Sequence, residues 1–339
     1  MPSHLPYQRI LVSGASGFIG SNLSRALMAK GYSVIAQYRR AQPPPHLLAL
    51  QAEGAKLIRA DLCQPDSCSP LVKGVDVLIH VAALASDWGS YEAFYEANFK
   101  TTVNLCQAAL QAQVKRLVYI SSITVHGFGN HLDSTEEGPY YPLQFPYPRT
   151  KKMAEDYVLS LNQKGFSTVV VRPGNVYGPG DTTTFYPMFR YIQKGFMGYV
   201  AGGKTLTCPI YIDDLVAGIM LAMETEKAAG EIYNLTSGEK VSWREVVDFL
   251  YQELKVAKKP LSSPVWLSLF LAYIYVFFYR LLGIPKAPPL TPYRIKQAAH
   301  NYSFSIAKAS RELGFKPKTN WQVGMQKTIR AYLSNTPLA

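Results

Sequence analysis

Apolar residues in the first half of the chain gather in short runs, and the stretches between them carry helical period. The runs are Ile10-Leu11-Val12 and residues 33–38, 56–60, 75–81, 116–121 and 168–171. The run at 75–81 is almost unbroken, as a strand buried on both faces of a parallel sheet should be. Residues 21–30 and 91–112 read as helices, and another helix runs from Tyr147 to about residue 161. Strands alternating with helices predict an α/β fold built on a parallel sheet.

The first strand runs into Ser13-Gly14-Ala15-Ser16-Gly17-Phe18-Ile19-Gly20. Gly14 permits a tight turn that a side chain would block. Gly17 lets backbone N–H groups approach a pyrophosphate at a helix N-terminus, where the dipole favours an anion. Gly20 lets that helix pack against the strand. A glycine triplet alone is a weak signal, but strand before it and helix after it point to a dinucleotide site rather than a merely structural turn. Cofactor contacts are expected from Gly14, Ser16, Gly17, Phe18, Ile19 and Gly20.

The second strand ends in Tyr38-Arg39-Arg40, with no acidic residue to accept a ribose 2′-hydroxyl. Two guanidiniums there suit a 2′-phosphate, so NADP(H) is favoured and NAD(H) is the alternative; a solvated basic loop would read the same way. Asp61-Leu62 follows the third strand. Asp61 either accepts from the adenine amino group or caps the next helix. Ala82 and Ala83, after the run at 75–81, are small enough for a cofactor to lie close. Asn98 is either an ordinary polar helix residue or the support of a proton-relay water.

Ser122 and Thr124 stand just beyond the run at 116–121, at a carboxyl strand end, where open α/β sheets bind ligands. Tyr147 and Lys151 are four apart and share one helical face, and Pro148 suits a first helical turn. In Tyr211-Ile212-Asp213-Asp214, Asp213 is expected to cap a helix.

Composition narrows the partners. The chain has 339 residues, 48% of them hydrophobic, enough for two domains or one large domain with a lobe. A formal net charge of +12 suits anionic partners, but there is no nucleic-acid recognition module. Cys63, Cys68, Cys106 and Cys208 form no CxxC pair and have no histidine at ligand spacing, so reduced thiols in a cytoplasmic compartment are expected and no metal site is. Residues 1–9 are too short and polar for a signal peptide.

Gly14-x-x-Gly17-x-x-Gly20, Tyr119-Ile120-Ser121-Ser122, Tyr147-x-x-x-Lys151, Arg172-Pro173-Gly174-Asn175-Val176-Tyr177-Gly178-Pro179 and Tyr211-Ile212-Asp213-Asp214 together resemble the extended short-chain dehydrogenase/reductase family, within the NAD-dependent epimerase/dehydratase superfamily, over residues 10 to about 240. His80-Val81-Ala82-Ala83, Asp87-Trp88-Gly89 and the apolar insert described below look most like its 3β-hydroxysteroid dehydrogenase branch. The resemblance implies a Rossmann-type doubly wound parallel sheet in residues 1–174, with contributions from about 205–235. It also implies a smaller α+β substrate-binding lobe, mainly in residues 175–339. Tyr147 is implied as general acid/base, Lys151 as its electrostatic partner and a ribose contact, and Ser122 as donor to the substrate oxygen. Pro173 would shape the nicotinamide pocket, and Thr124, His126 and Asn175 would face the substrate. The helices at 91–112 and 147–161 resemble the pair through which the family dimerises, so a homodimer is expected. Four positions depart from the family pattern. Thr101 stands where glycine is common, and His126 where a tyrosine often precedes the glycine. Ile123-Thr124 replaces the Asp-Glu pair of sugar-nucleotide dehydratases, which disfavours dehydration.

Residues 260–279 contain no charged side chain and are apolar on every side, within an insert at 260–284. A spanning helix needs about 20 apolar residues. Lys255, Lys258 and Lys259 precede the stretch and Arg280 and Lys286 follow it, so no orientation bias supports a span. An element lying in the membrane interface is expected, with a substrate lid, a dimer contact or a true span as alternatives. The expectation is therefore an oxidoreductase acting on the secondary alcohol or ketone of a lipophilic, sterol-like or long-chain substrate, peripheral on a membrane. A nucleotide-sugar epimerase or reductase would use the same Ser122, Tyr147 and Lys151, with Arg190, Arg244 or Arg294 clamping a diphosphate. A non-catalytic NADP(H) sensor is the third reading.

Overall fold

Strands that are apolar on both faces need cover above and below, and a parallel sheet layered between helices supplies it. The computed structural model describes residues 7–258 and 260–335. The start of the amino-terminal segment (residues 1–6) and Lys259 of the basic flank lie outside the described residues. Seven parallel strands form the sheet: β1 (Arg9–Ser13), β2 (Ser33–Tyr38), β3 (Lys56–Arg59), β4 (Val77–His80), β5 (Arg116–Ile120), β6 (Ser167–Pro173) and β7 (Ile232–Leu235), in the order β7-β6-β5-β4-β1-β2-β3. Strand order reverses between β1 and β4, which opens a crevice at their carboxyl ends, as in a doubly wound Rossmann-type sheet.

The register explains the two-sided core. Ala36, Val12, Ile79, Val118 and Val169 stand level across the sheet and feed one hydrophobic layer. Ile35, Leu11, Leu78 and Leu117, one residue earlier, feed the other. The first layer is covered by α1 (Phe18–Ala29), the second by α2 (Thr101–Gln111) and α3 (Pro146–Ser160).

Beyond β6 the chain leaves the sheet, rejoins it once through β7, and later returns to a separate two-stranded pairing. Asn175–Tyr177 pairs with Pro209–Tyr211; then α4 (Ile212–Glu224) and β7 rejoin the sheet domain. The chain leaves again through Val241–Ser242, α5 (Val265–Leu281) and α6 (Pro292–Ala299). It comes back where Tyr302–Phe304 pairs with His131–Ser134. The smaller lobe is therefore assembled from several segments that meet over the carboxyl edge of the sheet.

Local boundaries differ from the sequence reading in instructive ways. The helix after the glycine turn begins at Phe18, not Ser21, because Gly17 is its N-cap. The stretch expected as one helix at 91–112 contains a π-helical segment, Tyr95–Lys100, between Tyr91–Phe94 and α2. Such a segment displaces side chains from the regular helical face. Here it holds Asn98 inward, where Oδ1 accepts from Leu84 N–H at 2.7 Å and Nδ2 donates to Thr150 Oγ1 at 3.1 Å. Asp213 is not an N-cap: Tyr211 occupies that position, and Asp213 and Asp214 lie in the first turn, where the helix dipole favours carboxylates. Asp214 accepts from the N–H groups of Lys318 and Thr319 and so fastens the carboxyl-terminal segment.

His80 clamps the centre of the sheet. Thr102 Oγ1 donates to the Asn98 carbonyl at 2.6 Å, so it accepts from His80 Nε2 at 2.9 Å. His80 Nδ1 then accepts from the Ser13 hydroxyl at 2.7 Å, and Ser13 Oγ accepts from Val81 and Ala82 N–H. This holds the loop after β4 against the glycine turn. Burial, aided by the Lys151 ammonium, pushes His80 down from 6.5 to about 3. The unfolded chain takes up that proton near 6.5 and the folded chain does not, so stability falls as pH drops from 6.5 towards 3. Urea unfolding between pH 7 and 5 should show a loss approaching about 1.4 kcal/mol per pH unit from this group. His80→Asn should be less stable at pH 7 but flatten the slope by about one proton; an unchanged slope would mean that folded His80 protonates freely.

Candidate active site

A single cleft of about 1530 Å³ runs from the glycine turn across the carboxyl ends of β1, β4 and β5 and under the smaller lobe. Its floor is backbone packed too closely for side chains. Gly14 has φ +66°, and a Cβ there would meet Ala82 Cα at 2.7 Å. A Cβ on Gly20 would meet the Gly14 carbonyl at 2.4 Å. No side chain caps α1, which leaves the first-turn N–H groups free for an anion. This cradle fits the pyrophosphate of a dinucleotide. Gln37 shapes it further: its Oε1 accepts from Gly14 N–H at 2.8 Å and its Nε2 donates to the Ala60 carbonyl at 2.7 Å. The sequence reading passes over Gln37, although a lone amide inside an apolar strand was the available signal.

Of the expected cofactor residues, Gly14, Ser16, Gly17, Phe18, Ile19, Gly20, Arg39, Asp61, Leu62, Ala82, Ala83 and Pro173 all line the cleft. Arg40 does not; the chain turns at the end of β2, and its side chain is exposed away from the lining. Asp61 is not a helix cap, because Gln64 holds that position for the helix Pro65–Val72. Its Oδ1 accepts from Cys63 N–H, two residues on.

Ser122, Thr124, Tyr147 and Lys151 meet at the other end of the cleft floor. Ser122 caps a short 3-10 turn, Ile123–His126, and its Oγ accepts from Thr124 N–H at 3.3 Å and Thr124 Oγ1 at 2.9 Å. Tyr147 stands in the first turn of α3, whose entry is set by Pro146 and Pro148. Burial raises its phenol above the ordinary value, partly offset by a hydrogen bond with the Ser122 hydroxyl. Lys151 Nζ donates to the Ile120 carbonyl at 2.6 Å and lies 4.1 Å from the Tyr119 ring centroid. Burial pushes it down to about 7, against the pull of the Glu155 carboxylate. Burial thus dominates both groups: it favours the protonated phenol and weakens the ammonium.

Tyr293, from α6, is a further site residue. It is buried, lines the cleft, and its phenol hydrogen-bonds with Thr124 and feels the field of Tyr147. Nothing in local spacing marks Tyr293; only the return of the chain through α6 brings it to Thr124 and Tyr147. Asn175 also lines the cleft, with Nδ2 donating to Thr207 Oγ1 at 2.8 Å and Oδ1 accepting from Gln297 at 3.2 Å.

His126 does not face the cleft. It is fully buried and stacks on Tyr140. Arg172 Nη1 donates to its Nε2 at 2.9 Å, so Nδ1 carries the proton and donates to the Pro139 carbonyl at 3.3 Å. Burial and the neighbouring guanidinium push it down to about 3. Arg172, also fully buried, forms a two-armed pair with Glu155 of α3 at 2.5 and 3.0 Å.

The smaller lobe lines the cleft mostly with apolar side chains, Met188, Tyr191, Val200, Trp243, Leu290 and Ile295 among them, and adds the polar Asn175, Lys194 and Gln297. The three arginines that a diphosphate clamp would need are engaged or displaced. Arg294 pairs with Asp87 at 2.8 Å and donates to the Pro289 carbonyl. Arg244 donates to the Gly202 carbonyl and covers the Tyr199 ring. Arg190 is exposed and outside the lining.

A dinucleotide cradle joined to a Ser-Tyr-Lys floor on a doubly wound sheet defines a class, and the comparisons with known proteins agree with it. Residues 10–236 match the NAD dependent epimerase/dehydratase family, and the chain belongs to that family. The 2-alkyl-3-oxoalkanoate reductase of Stenotrophomonas maltophilia is 30% identical over 94% of this chain and 98% of its own length. A 3 beta-hydroxysteroid dehydrogenase/Delta 5→4-isomerase of Mycobacterium tuberculosis is 30% identical over 96% and 90%. Among solved structures, gox2253 superposes with a TM-score of 0.80 at 28% identity over 98% of this chain and 99% of its own. The UDP-glucose 4-epimerase of Thermotoga maritima shares the fold, with a TM-score of 0.77 at 20% identity over 96% and 99%.

Proposed function

We propose that this chain is an NADP(H)-linked oxidoreductase that interconverts a ketone and a secondary alcohol on a lipophilic, long-chain or sterol-like substrate. The observation that carries this reading is the mostly apolar lining that the smaller lobe gives the cleft, in which Arg294 is already paired with Asp87. The relatives named for 2-alkyl-3-oxoalkanoates and 3β-hydroxysteroids support it, because both names describe an oxygen function on a lipophilic skeleton.

The nicotinamide, when bound, supplies or takes up the hydride. Tyr147 Oη, held protonated by burial, gives its proton to the ketone oxygen as charge develops there. The Ser122 hydroxyl donates to the same oxygen and fixes it beside Tyr147. Lys151 would hold the cofactor ribose, and its charge limits the cost of the phenolate left behind. The mostly apolar lining excludes water from these groups. The glycine cradle and Arg39 would hold the phosphates.

Tyr147→Phe should retain cofactor binding and lose at least about 100-fold in turnover, because only the proton transfer is removed. Lys151→Ala should damage both. These assays would use long-chain 2-alkyl-3-oxo acids and hydroxysteroids beside UDP-sugars; turnover of UDP-sugars alone would refute the substrate class. Arg39→Ala should weaken NADPH about tenfold or more and leave NADH nearly unchanged, as loss of a charge-assisted phosphate contact predicts. Equal affinity for both cofactors before and after the change would refute the NADP(H) preference. We also propose a homodimer through α3 and the helical stretch before α2, where Tyr91, Tyr95, Phe99 and Tyr157 form a partly exposed aromatic ladder. Light scattering should return the mass of two chains, and a monomer at all concentrations would exclude it.

A further inference from the structure

The insert that the sequence marks as apolar folds as α5, seventeen residues long. No helix among the described residues is long and apolar enough to cross a membrane. At 1.5 Å per residue, α5 is about 25 Å long, short of the roughly 30 Å hydrocarbon core. Nor is it a buried lid: of its side chains only Ser268 and Ala272 are buried. Trp266 is 69% exposed, Phe277 61% and Phe278 52%. A contiguous apolar surface of this kind on a soluble face marks an interaction site.

Two further observations say what covers it. First, the patch is continuous with the mouth of the substrate cleft. Tyr275 of α5 and the exposed Phe196 both line the cleft and both face solvent. Leu261, also exposed, lies next to them, because its carbonyl accepts from Tyr199 N–H beside Phe196. Second, the two chain segments that carry the patch are of one charge sign, with Asp87, paired to Arg294, as the neighbouring acid. Residues 182–212 and 255–300, which build this mouth, contain lysines and arginines but no aspartate or glutamate. Lys258 lies over the Phe196 ring, and Arg280, at the far end of α5, lies over Trp88. Lys286 is exposed just beyond. Aromatic side chains capped by basic groups at both ends of a helix match an anionic bilayer surface, with rings at headgroup depth and cations among the phosphates.

We propose that α5, with Phe196 and Leu261, docks the protein on an anionic lipid bilayer, and that the cleft mouth then opens onto the lipid, so that substrate passes from the membrane to Tyr147 without crossing water. This rests on the lipophilic-substrate reading above for the nature of the passenger, but not for the docking. The geometry gives the docking two separable parts: apolar insertion by Trp266, Phe270, Phe277 and Phe278, and charge attraction by Lys258, Arg280 and Lys286.

Flotation of the intact chain with vesicles tests it. Vesicles of phosphatidylcholine with 30% phosphatidylglycerol should carry the protein up a density gradient. Pure phosphatidylcholine should carry at least tenfold less, and 0.5 M salt should release most of it, because screening shortens the reach of the cations. Phe277→Ser with Phe278→Ser should cut anionic-vesicle binding at least tenfold; so should Lys258→Glu with Arg280→Glu. None of these residues lines the cleft or touches the cofactor cradle, so NADPH binding and turnover of a short, water-soluble ketone should stay within twofold of the parent. In both paired variants, turnover of a vesicle-borne long-chain ketone should fall with the loss of binding. Absence of flotation, binding that ignores lipid charge, or self-association through α5 abolished by the same Phe substitutions would each overturn the proposal. If flotation fails while long-chain ketones are turned over, the docking is wrong and the substrate reading stands. If flotation holds and only UDP-sugars react, the substrate reading and the lipid passage fall together.

Discussion

The buried pair between Arg172 and Glu155 is the constraint on which the site depends. Both side chains are completely excluded from water. A charge in such a place is tolerable only if every donor and acceptor is met, and here they are. Arg172 reaches Glu155 through two nitrogens, the Glu136 carbonyl and His126 through a third, and the Tyr140 phenol. Glu155 also accepts from Ser121 Oγ at 2.7 Å. The pair thus ties the end of β6, the strand end that carries Ser122, and the helix that carries Tyr147 and Lys151. Losing one partner of such a pair leaves an uncompensated buried charge and costs on the order of 3–5 kcal/mol. Ser122, Tyr147 and Lys151 are held at fixed distances because moving any one of their three supports would break this network.

The other half of the site has a different logic. The cradle for the dinucleotide is made of absences: no Cβ at Gly14 or Gly20, and no capping side chain on α1. The side chains that stiffen it lie one layer down, in Gln37, Ser13 and His80. A backbone-lined cradle offers N–H dipoles to phosphate groups whichever dinucleotide carries them. The smaller lobe adds the third component, a mostly apolar wall assembled from segments far apart in the chain. Its outer edge is α5, whose Tyr275 lines the cleft and is itself exposed.

Much of this was legible along the chain because it depends on local rules. An apolar run of a few residues is a buried strand wherever it falls, and Gly14, Gly17 and Gly20 carry their meaning in their spacing between strand and helix. Tyr147 and Lys151 face the same way because helical geometry alone places i and i+4 together. The uncharged stretch from 260 to 279 marked an unusual element because a helix apolar on every side needs cover all round, from protein or from lipid.

Residues whose role depends on a distant neighbour were not legible. His126 sits beside Ser122 and Thr124 in sequence, yet its ring turns to Arg172 because a buried guanidinium needs an acceptor more than the cleft needs an imidazole. Arg40 follows Arg39 but points out of the cleft. Asn98 acquires its depth from a π-helical segment that no periodicity revealed, and Tyr293 reaches Thr124 only because α6 folds back over the sheet. The sequence by itself determined the strands, the glycine cradle and the i, i+4 pair, since these follow from backbone geometry and side-chain spacing. Tertiary structure alone decided which polar side chains face the cleft and which are held behind it, because that choice is made by hydrogen-bond partners many tens of residues away.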